Sequence, residues 1–496
     1  MDRRDFLRGT GWMGLAAVAA GCQLNRFGFG EGGQMQDYAY RKLVGRKIRV
    51  GFVGIGQRGT AAVHRVSMIP GVEVVALCDR VRTRVDENLA WLKGQKYAGL
   101  GKIRTYVGDG AYKDLCDFGD CDVVYCATPW ALHQPVGLRA LLGGKIALIE
   151  VTSALTVDQC WELVEASEKY RIPCMQLENC VYGEIELLEL NLARLGMFGQ
   201  INHVEGSYIH DLREIVKSDG TANREAEWRY GENMAHRGDR YPTHGLVPLC
   251  QTLGINRGDR LDYLVALGSG SGNRNYECVR KECLPDSDPR KFDPPAAMAD
   301  MNTTLIKTVN GVSIMVQHDV SSPRPYNRKA FISGTRGAMG DYPFRCTFER
   351  KCMEREEIVL GNGDRATVGV AHRWFDEKRA NGIRTKYMPP LWRDVSEMAK
   401  KVGGHGGMDF IMDLRWAWCL QNGEPLDMDV YDLAATSCLC ELTETSIRSG
   451  SKPQSIPDFT RGNWRNVTPW GVVNIDLKKM GLNKSGVKKD DAALSV

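Results

Sequence analysis

The stretch Ile48-Arg49-Val50-Gly51-Phe52-Val53-Gly54-Ile55-Gly56-Gln57-Arg58-Gly59 decides how this chain folds. Its first eight residues read as a buried strand, and the spacing of Gly54, Gly56 and Gly59 falls where that strand hands over to a helical pattern. Gly54 permits a tight turn, Gly56 lets the backbone approach a pyrophosphate, and Gly59 allows close packing of a helix whose N-terminal amides face the anion. Such a hexapeptide is a weak signal alone, but its context strengthens it. Asp79 ends the next predicted strand, Val72–Cys78, about twenty residues on, where a carboxylate accepts hydrogen bonds from the adenosine ribose and repels a 2′-phosphate. The expected ligand is NAD rather than NADP.

Further strands are predicted at Asp122–Ala127 and Lys145–Val151, alternating with amphipathic helical stretches. That alternation makes the first domain α/β, with a parallel sheet of the Rossmann type. After residue 151 the pattern changes. Helices at Thr156–Tyr170 and Glu184–Leu195 precede strands at Ile201–Ile209, Leu261–Leu267, Asn302–Thr308, Val312–Asp319 and Arg328–Ser333. Strands grouped without intervening helices predict an α+β domain with a mostly antiparallel sheet. Helical patterns return at Gly407–Leu420 and Val430–Arg448, while Ser269–Pro295, crowded with Gly, Asn, Asp and Pro, reads as an irregular loop. The expected division is a leader and tether over 1–46, an NAD-binding domain over 47–177 and a substrate domain over 178–496, with C-terminal helices able to pack back on the first domain.

The leader begins Asp2-Arg3-Arg4-Asp5-Phe6-Leu7-Arg8 and runs into the apolar stretch Trp12–Ala20, the pattern of a twin-arginine export signal. Its apolar part is too short to span a bilayer. The twin-arginine export machinery is therefore an expected partner, and the periplasm the expected location. Ala19-Ala20-Gly21-Cys22 resembles a lipoprotein processing site that lacks the usual leucine, so a lipid anchor at Cys22 and a free periplasmic protein both stay open. Outside the cytoplasm no pool of free NAD is available for exchange. Chemistry that regenerates its own NAD fits such a protein best.

Composition excludes more than it assigns. The net charge is +4 over 496 residues, with both signs interspersed, so nucleic-acid binding is not expected. The 16 cysteines include Cys78, Cys126, Cys174 and Cys250 in apolar runs, where a thiol behaves as a small hydrophobe. Neither Cys116 with Cys121 nor Cys438 with Cys440 has zinc-site spacing, and the nine histidines form no HExxH, so no metal is expected. A homo-oligomer is plausible through an open face of the antiparallel sheet.

Unusual local chemistry lies in the second domain. His236-Arg237-Gly238-Asp239-Arg240-Tyr241-Pro242-Thr243-His244-Gly245 packs two histidines, a tyrosine and three charges into ten residues. Pro242 and Thr243 suit a first helical turn, which puts Tyr241 at its mouth and His244 within it. A histidine can take a hydroxyl proton, and a tyrosine can act as base where neighbours such as arginine lower its pKa.

The segments GFVGIGQRG, ALCDR, ATPWALH, ALIEVTSALTVDQCWELV, MQLENCVY, HVEGSYIHDL and HRGDRYPTHGL together resemble glycoside hydrolase family 109, the NAD-dependent α-N-acetylgalactosaminidases, within the Gfo/Idh/MocA oxidoreductase superfamily. The wider superfamily carries a Glu-Lys-Pro segment whose lysine serves many dehydrogenase sites; here that place reads Glu150-Val151-Thr152. The resemblance implies an NAD site lined by Gln57, Arg58, Asp79, Trp130, Ala131, Leu132, His133, Glu150, Val151 and Asn179, with Tyr241 at its border. It also implies a sugar site lined by Tyr208, Arg229, Tyr241, Pro242, Thr243, His244 and Tyr326.

The implied activity is release of a terminal α-linked N-acetylgalactosamine, or another terminal N-acetylhexosamine, from a glycan. Oxidation at C3 acidifies the C2 hydrogen, elimination expels the C1 substituent, water adds and C3 is reduced again. His244, Tyr208 and Glu178 are the catalytic candidates, with their proton roles interchangeable. A sugar dehydrogenase of the Gfo/Idh/MocA type is the alternative, against which the missing lysine and the export signal weigh. A direct-displacement glycosidase needs two flanking carboxylates and leaves the glycine fingerprint without a purpose.

Overall fold

The computed structural model describes residues 40–217, 226–270 and 272–482. The twin-arginine motif, Cys22 and most of the tether lie outside the described residues.

The first sheet has six strands: β1 Ile48–Val53, β2 Val72–Asp79, β3 Arg104–Val107, β4 Val123–Cys126, β5 Ile146–Ile149 and β6 Cys174–Gln176. They run parallel in the order β3-β2-β1-β4-β5-β6. Chain direction across the sheet reverses between β1 and β4, the switch point beside which ligands of such sheets bind. Every residue of β4 and β5 is buried, as helices on both faces demand. The edge strand β3 was not expected, because its Arg-Thr-Tyr-Val sequence is largely exposed and carries no apolar run.

The second sheet takes β7 Ile201–Ile209, β8 Leu261–Gly268, β9 Asn302–Thr308, β10 Ser313–Asp319, β11 Phe331–Gly334, β12 Gly337–Gly340, β13 Arg345–Phe348 and β16 Gln454–Ser455. Their order is β13-β12-β11-β7-β10-β9-β8-β16, antiparallel throughout except for the β7–β10 pair. Alternating burial along β9 and β10 shows one face on the core and one outward. Strands β14 Arg355–Val359 and β15 Arg365–Gly369 form a separate hairpin.

Two expectations need correction. Ser269–Pro295 is not wholly irregular: Arg274–Cys283 is a helix, capped by the Asn273 side chain on the Tyr276 amide. The Gly- and Pro-rich flanks masked a central run of good helix formers. The predicted helix Val430–Arg448 is two helices, Val430–Ser437 and Leu439–Arg448, meeting at Cys438. Cys78, Cys126, Cys174 and Cys250 are buried and unpaired, as small core residues.

One contact positions the site. The helix Thr243–Leu253 lies on β7 so closely that a Cβ at Gly206 would sit 1.9 Å from the Gly245 carbonyl oxygen, and one at Gly245 would sit 2.5 Å from the Ser207 amide nitrogen. Two facing glycines let helix and strand backbones touch, so that His244, next to Gly245, and Tyr208, two residues after Gly206 on the same side of the strand, meet across the join.

Candidate active site

The glycine turn has the expected geometry. Gly54 adopts φ +81°, and a Cβ there would lie 2.7 Å from the Thr128 amide nitrogen. A Cβ on Gly59 would fall 1.9 Å from the Gly54 carbonyl oxygen, whereas Gly56 meets nothing nearer than 3.9 Å and faces open space. Asp79 is buried at the end of β2, its Oδ2 accepting from the Ile55 amide at 2.9 Å and its Oδ1 from the Val81 amide at 2.9 Å and Arg84 at 3.3 Å. A carboxylate keeps further lone pairs after these bonds, so this cradle fits a dinucleotide with free ribose hydroxyls.

Gln57 and Arg58 open the helix Gln57–Ser67, with Gln57 exposed and Arg58 turned inward. The Arg58 guanidinium donates to Glu150 at 2.7 Å and to Asp409. Burial lifts the Glu150 carboxyl above its usual range even though Arg58 opposes it. Burial also works against charge on Asp409, but Arg58, His405 and Arg65 together hold that carboxyl well below the usual range. Asn179 donates to Asp409 at 2.6 Å. The fingerprint helix, the end of β5, the segment after β6 and the helix Met408–Asn422 are thereby tied into one buried charge network.

Trp130, Ala131, Leu132 and His133 form the first turn of the helix Trp130–Leu142. Trp130 is buried and donates from its indole to the Val151 carbonyl at 3.2 Å, while Ala131 and Leu132 are exposed. His133 is buried with Nδ1 2.7 Å from the Thr152 carbonyl and Nε2 2.6 Å from that of Thr128. Its ring braces two strand-end loops.

One residue before Asn179, Glu178 is fully buried and one of its oxygens lies 2.7 Å from Nδ1 of His244. It is no solvated surface charge. Burial raises its carboxyl, but His244 and the Cys180 amide outweigh that effect and hold it below the usual range. Its second oxygen, Oε2, has no hydrogen-bond partner among the described residues. The Tyr208 ring lies 5.1 Å from the His244 ring and 4.9 Å from that of Tyr241. Tyr241 stacks on Trp130 at 5.5 Å, and Arg229 sits over Trp130, Trp228 and Tyr241 at 5.1, 5.7 and 5.2 Å. Pro242 and Thr243 are buried beneath them at the helix start, and Tyr326 reaches the Tyr208 ring at 6.3 Å. The sequence-predicted residues Tyr208, Arg229, Tyr241, His244, Tyr326 and Glu178 thus converge.

One sequence-based idea fails here. A tyrosine base with a lowered pKa does not describe Tyr241, because burial and then Tyr208 push its phenol well above the usual value while Arg229 only opposes them. Tyr241 is a hydrogen-bond donor at neutral pH.

Two histidines escaped notice. The Tyr208 hydroxyl lies 3.0 Å from Nδ1 of His210, two residues on and so on the same side of the extended chain. Burial, then Arg229, His244 and His405, lower the His210 pKa, which keeps its ring neutral and able to accept from the phenol. His405 lies in Gly403-Gly404-His405-Gly406-Gly407, half exposed, with Nδ1 3.0 Å from Asp409. That glycine run was the available signal. Glu178, Cys180 and His244 also bring three ligand-type atoms within 4.8 Å of one another, but Glu178 and His244 are already in direct contact.

Residues 182–466 match the family model for the glycosyl hydrolase 109 C-terminal domain, and residues 48–176 match that for the oxidoreductase family NAD-binding Rossmann fold. A "glycosyl hydrolase family 109 protein 1" of Bacteroides thetaiotaomicron is 44% identical over 421 residues, spanning 85% of this chain and 86% of that protein. A "glycosyl hydrolase family 109 protein" of Solibacter usitatus is 39% identical over 468 residues, spanning 94% and 99%. The chain belongs to glycosyl hydrolase family 109.

This family 109 chain shares its fold with the levoglucosan dehydrogenase solved with NADH and levoglucosan, at TM-score 0.58 and 17% identity over 83% of this chain and 100% of that one. It likewise matches the Lactobacillus casei scyllo-inositol dehydrogenase solved with NAD(H) and scyllo-inositol, at TM-score 0.53 and 14% identity over 83% and 99%. The family 109 chain is a glycoside hydrolase built on an NAD-binding fold, and NAD is its cofactor.

Proposed function

We propose that this chain is an exported glycosidase that releases terminal α-linked N-acetylgalactosamine through a redox-neutral cycle. The observation that carries the reading is the convergence of Glu178, His244, Tyr208 and His210 in one side-chain cluster. Bound NAD supplies a reversible acceptor for the C3 hydride, so that no net oxidation remains at the end of the cycle.

The side chains handle the protons. His244, 2.7 Å from a carboxylate oxygen of Glu178, takes the C3 hydroxyl proton and returns it. Tyr208 takes the C2 proton, passing its own to His210 across 3.0 Å. His405, backed by Asp409 at 3.0 Å, has the arrangement of a histidine oriented for proton donation to a departing group. Arg229 and the Trp130, Trp228 and Tyr241 rings offer an apolar face with fixed donors, the mix that sugars require.

Export by the twin-arginine route rests on Arg3 and Arg4 in the leader, and it fits a cofactor regenerated in place. The test is cleavage of p-nitrophenyl α-N-acetylgalactosaminide by protein purified without added NAD. Many turnovers, no accumulation of NADH and exchange of the C2 hydrogen with solvent deuterium support the reading. Stoichiometric NADH from free sugar, with no bond cleaved, makes the chain a dehydrogenase instead.

A further inference from the structure

A small cavity, with room for about one water molecule, lies against the helix Thr243–Leu253 and is lined by Glu186, Glu189, His244, Gly245, Arg328 and Ala330 among others. Glu189 is 1% exposed and Glu186 is 5% exposed, both on the helix Glu184–Arg194. Oε1 of Glu189 and Oε2 of Glu186 have no hydrogen-bond partner among the described residues. Two buried carboxyls face one cavity, and Glu189, the one that no described cation pairs with, is costly to bury unless it stays neutral.

Glu186 is already committed. Its Oε1 accepts from Arg328 at 2.8 Å, and its Oε2 fills the space that a side chain at Gly183 would need. Arg328 in turn donates to the Tyr326 hydroxyl at 3.2 Å. A chain of contacts therefore runs from the cavity to a ring that borders Tyr208 and His210.

We propose that Glu189 is a positioning residue for the sugar site: protonated, it leaves the Glu186–Arg328–Tyr326 chain intact, and ionised, it breaks that chain. Ionisation puts a second negative charge beside Glu186 inside the protein. The two carboxylates then repel, so the pair must separate or admit water, and because Glu186 is held by Arg328 either change loosens Arg328 and then Tyr326. Other charged or titratable groups facing this region are His244 across the cavity, with Cys180, Asp341 and Tyr342 around Arg328. In support, burial and then the Glu186 charge push the Glu189 carboxyl up to about 8. The proposal rests on the reading of Tyr326 as part of the sugar site.

The experiment compares wild type with Glu189→Gln, which stays neutral at every pH and keeps the shape. The infrared difference between wild type and variant in D2O should show a protonated carboxyl band at pH 6 that vanishes as pH passes about 8. Above that pH the wild-type KM for an N-acetylgalactosaminide should rise roughly tenfold, the scale of one lost positioning contact, with kcat changing less. Glu189→Gln should hold a flat KM. Absence of the band overturns the proposal whatever the substrate proves to be. A KM rise that persists in the variant overturns it too. A band without any sugar turnover overturns the sugar-site role and points instead to failure of the glycosidase reading.

Discussion

Nδ1 of His244 lies 2.7 Å from a carboxylate oxygen of Glu178, and that carboxylate is completely enclosed by protein. A carboxylate so placed sets which edge of the imidazole faces the protein and which is left for the sugar. Replacing His244 with alanine should lower kcat by about 10²- to 10⁴-fold, the usual worth of a positioned acid–base group. Glu178→Gln should do so less severely, since the ring stays but loses its counter-charge. Steady-state kinetics on samples with equal NAD content checks both, and a Glu178→Gln enzyme of normal kcat would contradict the role.

Tyr208 and His210 act as a pair in this reading. Tyr208→Phe should abolish exchange of the C2 hydrogen with deuterium, followed by NMR of the product, while retaining oxidation at C3. His210→Ala should slow the same exchange without stopping it, because bulk water can then receive the phenolic proton.

Asp409 faces Arg58, Asn179, His405 and Arg65. Asp409→Ala removes one of the two carboxylates that face Arg58, leaving Glu150, and should cost up to about 3 kcal/mol, the lower end for a broken buried pair. Denaturant unfolding should reveal it. Because the folded carboxyl sits well below its ordinary range, its stabilisation is complete above that range and is lost as pH falls through the lowered value. The gap between wild type and variant should therefore narrow in acid.

Gly59→Ala should fold its second sheet normally yet lose NAD. The added methyl meets the Gly54 carbonyl oxygen at 1.9 Å, so the turn that shapes the cradle has to open. Release of cofactor on denaturing the purified variant, measured by absorbance, gives the answer.

The nucleotide end was legible because its demands are local: three glycines, a strand before them and Asp79 after the next strand all sit in one short window. The sugar end was legible only through the likeness of several segments taken together. Gly206 and Gly245 are ordinary glycines in the sequence, and nothing local tells that they face each other and so seat His244 beside Tyr208. His210 was visible two residues after Tyr208, but it gains meaning only when the chain is known to be extended there. Asp409 could not be read at all, since its partners Arg58 and Asn179 lie hundreds of residues earlier. Glu189 sits in an amphipathic helix, where a glutamate normally reads as surface.

The distance in sequence between Arg58 and Asp409 bears on how the protein is made. A ribosome that has released only the first sheet exposes a finished glycine turn, yet Arg58 and Arg65 still lack the helix Met408–Asn422 that supplies Asp409 and Asp413. Closure of this buried charge network must therefore await synthesis of nearly the whole chain. Until then the two guanidinium groups lack the carboxylates that the finished fold sets against them.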